Sequence, residues 1–149
     1  MARLLLVAHA PLATALRAVA QHVYPDCSDH LAAIDVEPGA SADDTERRVR
    51  VALSEVPDTD VLILTDVFGA TPCNAALAAA DGVRARVVAG VNVPMVWRAL
   101  CYADSPLDDL VGRAVAGAGQ GVMHVAVPRR QNQPTSLSSH DQVQDKHQQ

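Results

Sequence analysis

The chain has few aromatic residues and no long apolar run. Aromatic residues make up only 3% of its 149 residues, whereas 49% of the residues are hydrophobic. The core must therefore consist mostly of Val, Leu, Ile and Ala. A chain of this length buries roughly two thirds of the surface that its unfolded form exposes, which is enough for one compact domain. This composition suits the tightly packed layers of an α/β fold.

Cysteine is also scarce. The three cysteines, Cys27, Cys73 and Cys101, stand far apart, and no Cys-x-x-Cys pair occurs. This spacing favours reduced thiols over a disulfide framework or a zinc site. We therefore expect no metal and no cofactor.

Neither charge nor hydropathy predicts a nucleic-acid or membrane partner. The formal net charge is -5 and the basic residues are scattered, so no basic patch is available for nucleic acid or an anionic lipid surface. The apolar run at residues 4–8 is too short for a signal peptide, and no segment approaches the ~18 apolar residues of a membrane span. The sequence therefore predicts a cytoplasmic protein.

Short apolar runs and helical patterns alternate along the chain. Five runs have the length of strands: residues 4–8, 31–36, 61–65, 85–91 and 122–127. Helices are expected from Pro11 to about His22, after the N-cap Ser41, from the N-cap Thr71, from Pro94, and over residues 107–116. Unalternating strands separated by helices are typical of a parallel sheet that is covered on both faces. The prediction is an α/β, doubly wound fold with four mostly parallel strands and a fifth, C-terminal strand.

The end of the chain has a different composition. From Arg129 onward it is rich in Gln, Ser and charged residues, and such a segment buries too little apolar surface to offset its ordering entropy. We therefore expect one domain over residues 1–128 and a disordered, dispensable tail over residues 129–149.

Two of the predicted strands end at polar residues. His9 directly follows the first strand and Asp66 directly follows the third. Ligands of open parallel sheets bind at the carboxyl ends of the strands, at the switch point of the topology. Asp66 is also followed by Gly69 and by Thr71 at a helix start, whose free N–H groups favour an anion. We expect His9 and Asp66 to face each other across this crevice.

Together, His9 and Asp66 indicate a reaction that neither residue indicates alone. A carboxylate that binds one ring nitrogen of a histidine fixes the tautomer and leaves the other nitrogen as a nucleophile. Beside a helix start, such a histidine could accept a phosphoryl group. Taken singly, His9 has an ordinary structural interpretation, Asp66 could cap a turn, and Thr71 could cap a helix.

The remaining motifs do not indicate a reactive or ligand-binding site. We expect surface or packing roles for the remaining histidines, which have no partner at ligand spacing: His22, His30, His124, His140 and His147. The glycine-rich residues 117–121 follow a helix and precede a strand, which is the reverse of a dinucleotide fingerprint. These glycines are expected to end the helix.

Three segments in order, "LLLVAHA", "LILTDVFGATPCNAA" and "VVAGVNVPM", resemble the mannose-type IIA proteins of the bacterial phosphoenolpyruvate-dependent sugar phosphotransferase system. The resemblance covers about residues 3–127. It implies that His9 is phosphorylated, that Asp66 is its hydrogen-bonding partner, and that Ala10, Gly69 and Thr71 lie around the phosphate.

Departures from the family pattern occur at the predicted phosphate contacts. Ala10 stands where the family has glycine, and the next residue, Pro11, lacks an N–H group. Ala70 replaces a second glycine. The resemblance also implies that Asn92 helps to shape the site, although a turn role is equally open, and that homodimers exchange the strand at residues 122–127.

The resemblance implies a phosphotransferase that accepts a phosphoryl group from phospho-HPr on His9. It then passes the group to a IIB protein for sugar uptake, and meets the membrane at most through transporter partners. Three alternatives stay open: a regulatory phosphoacceptor without a transport role, the phosphotransfer subunit of a dihydroxyacetone kinase, and a non-catalytic α/β binding module. The binding module is the only one of these alternatives that assigns no chemical role to the pair of His9 and Asp66.

Overall fold

Residues 1–129 of the chain are described by a computed structural model. One sheet contains β1 (Arg3–His9), β2 (Leu31–Val36), β3 (Val61–Thr65) and β4 (Ala85–Ala89). The strand order is β2-β1-β3-β4, and all three neighbouring pairs are parallel. The prediction of a doubly wound α/β fold is confirmed.

Helices cover both faces of this sheet. They are α1 (Leu12–Val23), α2 (Ala42–Ser54), α3 (Thr71–Ala79), α4 (Val93–Cys101) and α5 (Leu107–Gln120), and a short 3-10 helix (Pro25–His30) follows α1. Buried residues of α1, α4 and α5 pack on one face, and those of α2 and α3 pack on the other. Within residues 1–129, no helix is both long and apolar enough to cross a membrane.

The central strands are apolar on both sides because each side meets helices. In β1, Leu4 and Leu6 belong to the core cluster under α1, α4 and α5, whereas Leu5 and Val7 belong to the cluster under α2 and α3. Every residue of β3 is buried. This double burial explains why the strand runs show no alternation of apolar and polar residues.

Side-chain caps occur at two of the five α-helix starts in residues 1–129, those of α2 and α4. The side chain of Ser41 accepts a hydrogen bond from the Asp44 N–H at 3.0 Å, as the sequence predicts. The predicted cap at α3 was one residue late: the N-cap is Ala70, and Thr71 is the first helical residue. Pro11 likewise precedes α1 as its N-cap instead of lying in its first turn.

Gly121 ends α5 as its C-cap, as predicted, whereas Gly117 and Gly119 lie within the helix, which continues to Gln120. Gly117 and Gly121 also allow close packing against α4. A Cβ atom at Gly117 would lie 2.7 Å from Cβ of Arg98, and one at Gly121 would lie 2.4 Å from Cβ of Pro94. A side chain at either position would push the two helices apart.

The predicted fifth strand is absent from the single chain. Residues 122–129 have no regular structure in the described part of the chain, and the apolar side chains there are 68–89% exposed. The segment leaves α5 without pairing with an edge of its own sheet. The predicted tail, apart from Arg129, lies outside the described residues.

Replacing Ser41 with Ala should destabilise the protein by about 1 kcal/mol, because the first turn of α2 loses its side-chain cap. Urea unfolding at neutral pH measures the change. Ser41→Asp keeps an oxygen acceptor at the same position and should stay close to wild type. Equal losses in both variants would contradict the capping role.

Candidate functional site

The topology brings the ends of β1 and β3 together at the switch point of the sheet. From β1 the chain proceeds to β2 on one side, and from β3 it proceeds to β4 on the other. The register pairs Val7 with Thr65, so His9 and Asp66 project just beyond the last paired residues. In a doubly wound sheet, this crevice is the usual ligand site.

His9 makes two hydrogen bonds to one carboxylate oxygen of Asp66 at this position. The Nδ1 atom of His9 lies 2.6 Å from Oδ2 of Asp66, and the backbone N–H of His9 donates to the same oxygen at 2.9 Å. The other oxygen, Oδ1, accepts the N–H of Val67 at 2.9 Å. The carboxylate thus fixes both the backbone and the ring of the histidine.

Opposing effects act on the Asp66 carboxyl. Burial raises its pKa, but hydrogen bonds from the backbone and ring of His9 and from the N–H of Val67 outweigh burial, so the pKa lies below its ordinary value. An ionised carboxylate can only accept hydrogen bonds. In the neutral ring, Nδ1 therefore carries the proton, and Nε2 keeps a free lone pair.

The two side chains differ in exposure. The His9 side chain is 50% exposed, whereas that of Asp66 is 10% exposed. A group that must meet another molecule needs exposure, and a group that orients it is better held away from water. The exposed ring and the sheltered carboxylate satisfy both requirements.

The predicted phosphate contacts divide into two groups. Gly69 and Thr71 lie in the loop and helix start that directly follow Asp66, and Gly69 has a positive φ of 87°, a conformation that side chains disfavour. The N–H of Ala10 instead donates to the Val36 carbonyl at 2.9 Å. That bond extends the ladder between β1 and β2, so the N–H of Ala10 is not directed at the crevice.

Asn92 has a structural role in the loop after β4. Its side chain accepts the Met95 N–H at 2.9 Å and so caps α4. Its amide also donates to the Ala118 carbonyl of α5 at 3.2 Å. These two contacts fix the loop that lies beside Asp66, where the Gly90 N–H donates to the Asp66 carbonyl.

The sequence analysis missed Asp35 at the end of β2. Its Oδ1 atom accepts the Thr14 N–H at 3.1 Å, and its Oδ2 atom accepts the Thr14 hydroxyl at 2.6 Å. Its position near the end of a predicted strand, like those of His9 and Asp66, could have indicated Asp35 as a candidate. Its partner on α1 lies 21 residues away in sequence, and only the fold brings the two together.

No metal site is evident among the described residues. Within residues 1–129, no group of three or more His, Cys, Asp or Glu side chains is arranged to hold a metal ion. His22 and His124 are exposed and His30 is half-buried. His140 and His147 lie outside the described residues.

The fold and the pair define a class of protein: a doubly wound α/β domain that presents an exposed, carboxylate-bound histidine at its switch point. The family model for the PTS system fructose IIA component matches residues 3–115. The chain belongs to this EIIA family of the phosphotransferase system.

Similar proteins support this membership. The PTS system fructose-specific EIIA component of Bacillus subtilis is 30% identical over 114 residues, which are 72% of this chain and 78% of that protein. The PTS system mannose-specific EIIAB component of Escherichia coli is 36% identical over 93 residues. That match covers 60% of this chain but only 29% of the relative, so the chain spans a minor part of the EIIAB proteins.

Solved structures agree with the fold. The mannose/sorbose specific IIA subunit from Enterococcus faecalis superimposes with a TM-score of 0.80 at 25% identity, covering 87% of this chain and 98% of that one. Phosphotransferase system component EIIA from Streptococcus agalactiae gives a TM-score of 0.71 at 26% identity, covering 83% and 97%.

Asp66→Asn should reduce the acid sensitivity of the fold. Folding lowers the pKa of Asp66 from 3.8, so the carboxylate stabilises the protein fully above the unfolded pKa. That contribution is lost as the pH falls through the folded pKa. Between about pH 5 and about pH 2, the free energy of unfolding should therefore fall more for wild type than for the variant.

Urea unfolding across this range is the measurement, and Asp104→Asn is the control. Asp104 is exposed, and no hydrogen bond to its carboxylate occurs within residues 1–129. The control should keep the wild-type pH dependence. An Asp66→Asn variant with that same dependence would contradict the role of the hydrogen bonds at Asp66.

Proposed function

We propose that the protein is a cytoplasmic phosphoryl carrier of the phosphotransferase system, phosphorylated on His9. The observation that carries this proposal is the contact between Nδ1 of His9 and Asp66 at 2.6 Å, which leaves Nε2 as the exposed nucleophile. The donor is phospho-HPr and the acceptor is a IIB protein. Membership in the EIIA family supports both partners.

The transfer step requires only positioning and charge stabilisation. Nε2 of His9 attacks the phosphorus of the donor's phosphohistidine, a new N–P bond forms, and the donor's N–P bond breaks. The electron pair of the broken bond returns to the donor's imidazole. Nδ1 of His9 keeps its proton, and the Asp66 carboxylate stabilises the positive charge that the phosphorylated ring acquires.

The phosphoryl oxygens have a suitable environment at the start of α3. The backbone N–H groups of a first helical turn have no intrahelical partner, and the helix dipole favours an anion there. The N-cap Ala70 offers no side-chain oxygen, and α3 has no acidic residue in its first turn. We assign the phosphate contacts to this turn, with the Thr71 hydroxyl and the Gly69 loop beside it.

Two alternatives share this chemistry and differ only in the acceptor. A regulatory phosphoacceptor, or the phosphotransfer subunit of a dihydroxyacetone kinase, would also take a phosphoryl group on His9. Acceptor assays with a IIB protein and with a dihydroxyacetone kinase separate these roles from the transport role.

We also propose a homodimer that exchanges residues 122–127. In the single chain β4 is an edge strand, and an open edge can pair with a strand of another subunit. The segment after α5 carries the necessary apolar side chains, all exposed: Val122, Met123, Val125 and Val127. Pairing of this segment with the partner's β4 would cover both surfaces in a two-fold assembly.

His9 should be the sole phosphoacceptor among the six histidines of the chain. Incubation with phosphoenolpyruvate, enzyme I and HPr should give an acid-labile phosphate that peptide mapping places on His9. His9→Ala should remain unlabelled and His22→Ala should label normally. A phosphate on another histidine, or labelling of His9→Ala, would overturn the proposal.

Asp66→Asn should slow phosphorylation of His9 by phospho-HPr. The amide keeps the shape of the carboxylate but loses its charge, and a charge-assisted hydrogen bond contributes about 1.5–3 kcal/mol. The rate should therefore fall roughly 10- to 150-fold. Rapid-quench measurement tests this, with Asp104→Asn as an unaffected control, and an unchanged rate would reject the role of Asp66.

Light scattering at low micromolar concentration should give twice the 15.7 kDa of one chain. Truncation after Gly121 removes the exchanged segment and should give a monomer. A monomeric full-length chain would exclude the exchange, and a truncated chain that stays dimeric would place the interface elsewhere.

A further inference from the structure

We infer that Asp35 is a positioning residue for the reaction at His9: its carboxylate anchors the first turn of α1 to β2 and so fixes the turn that follows the histidine. The inference rests on the proposed function of His9. Asp35 acts through this turn and makes no hydrogen bond to the histidine ring.

The anchor is bidentate and local to the site. Asp35 lies opposite Ala8 in the register of β1 and β2, one residue before the pair of His9 and Val36. Its two carboxylate oxygens accept the N–H and the hydroxyl of Thr14 at 3.1 and 2.6 Å. A guanidinium N–H of Arg48 donates to the Asp35 carbonyl at 2.8 Å, which further ties this strand end to α2.

Helix α1 needs an external cap because its own sequence supplies none. Its N-cap is Pro11, which makes no side-chain capping bond, and its first turn contains no acidic residue. Thr14 is the third residue of the helix, the position whose N–H a capping side chain usually satisfies. Asp35 provides that acceptor from the neighbouring strand, together with a negative charge that suits a helix N-terminus.

The cap reaches His9 through the intervening turn. The N–H of Ala10 donates to the Val36 carbonyl, so residues 10–14 are attached to β2 at both ends. On its other side, His9 is attached to Asp66 through its N–H and its ring. Without the Asp35 contact, the turn that follows His9 would keep only one of its two attachments to β2.

This attachment matters because phosphoryl transfer depends on alignment. A displacement of about 1 Å can lower a rate up to about 100-fold when the reacting atoms must be in line. Loss of one anchor of the turn should have a smaller effect. We expect the rate constant for phosphorylation of His9 to fall about tenfold in Asp35→Ala.

The test compares Asp35→Ala, Asp35→Asn and Ser41→Ala with two phosphoryl donors, phospho-HPr and the small molecule phosphoramidate. Asp35→Ala should lower the rate constant with both donors and leave the KM for phospho-HPr unchanged, because the Asp35 carboxylate is engaged by Thr14 within the chain. Asn can accept the Thr14 N–H and donate to the Thr14 hydroxyl, which can still donate to the Pro11 carbonyl, 3.2 Å away. Asp35→Asn should therefore stay within about twofold of wild type.

Ser41→Ala is the matched structural control. It removes the same kind of contact, a side-chain oxygen on the third N–H of a helix, at α2. Urea unfolding should show comparable losses of stability for Ser41→Ala and Asp35→Ala, but only Asp35→Ala should transfer slowly. Wild-type rates in Asp35→Ala, equal slowing in Ser41→Ala, or no rescue by Asn would overturn the inference.

A spectroscopic readout separates this inference from the proposed function. The ring ¹⁵N resonances of His9, assigned by comparison with His9→Ala, should show the Nδ1-protonated tautomer in wild type and partial averaging in Asp35→Ala. If neither donor phosphorylates wild type, the proposed function fails, and the ring spectrum alone decides on Asp35. Identical ring spectra in wild type and Asp35→Ala would then overturn the positioning role.

Discussion

The candidate site depends on the parallel pairing of β1 with β3. The ladder ends where Val7 faces Thr65. Beyond that point the Asp66 side chain, instead of a backbone carbonyl, accepts the hydrogen bond of the His9 N–H. The carboxylate therefore occupies the position of the next acceptor along the ladder. A slip of one residue in register would turn every side chain of β3 to the opposite face, and Asp66 would no longer reach the ring.

Double burial of these strands fixes that register. Leu4 and Leu6 pack under one set of helices, while Leu5 and Val7 pack under the other, so neither strand can slide without exchanging two sets of buried side chains. The apolar core thus determines the position of two polar groups at its rim. This is why the pair can combine a 10% exposed carboxylate with a 50% exposed ring.

The features that sequence predicts are those set by local pattern. Unbroken apolar runs predict the strands, Ser41 predicts a helix cap, and polar residues after two runs predict His9 and Asp66 at the sheet edge. The errors arise where tertiary contacts decide. Gly117 continues α5 because it allows the close approach of α4, and the cap of α1 comes from Asp35 on β2. Neither outcome can be inferred from the neighbouring sequence.

The starts of α1 and α3 are electrostatically unlike, and this difference bears on where a phosphoryl group on His9 would be held. The start of α1 is occupied, because Asp35 satisfies the N–H and hydroxyl of Thr14. The start of α3 has neither a side-chain cap nor an acidic residue in its first turn. Strand alternation places His9 on the same face as Leu5 and Val7, which is the face that α3 covers. An anion on Nε2 would therefore face the uncapped start of α3, whereas the start of α1 packs on the other face and already has its acceptor in Asp35, so the proposed phosphate position follows from which helix the sequence leaves uncapped.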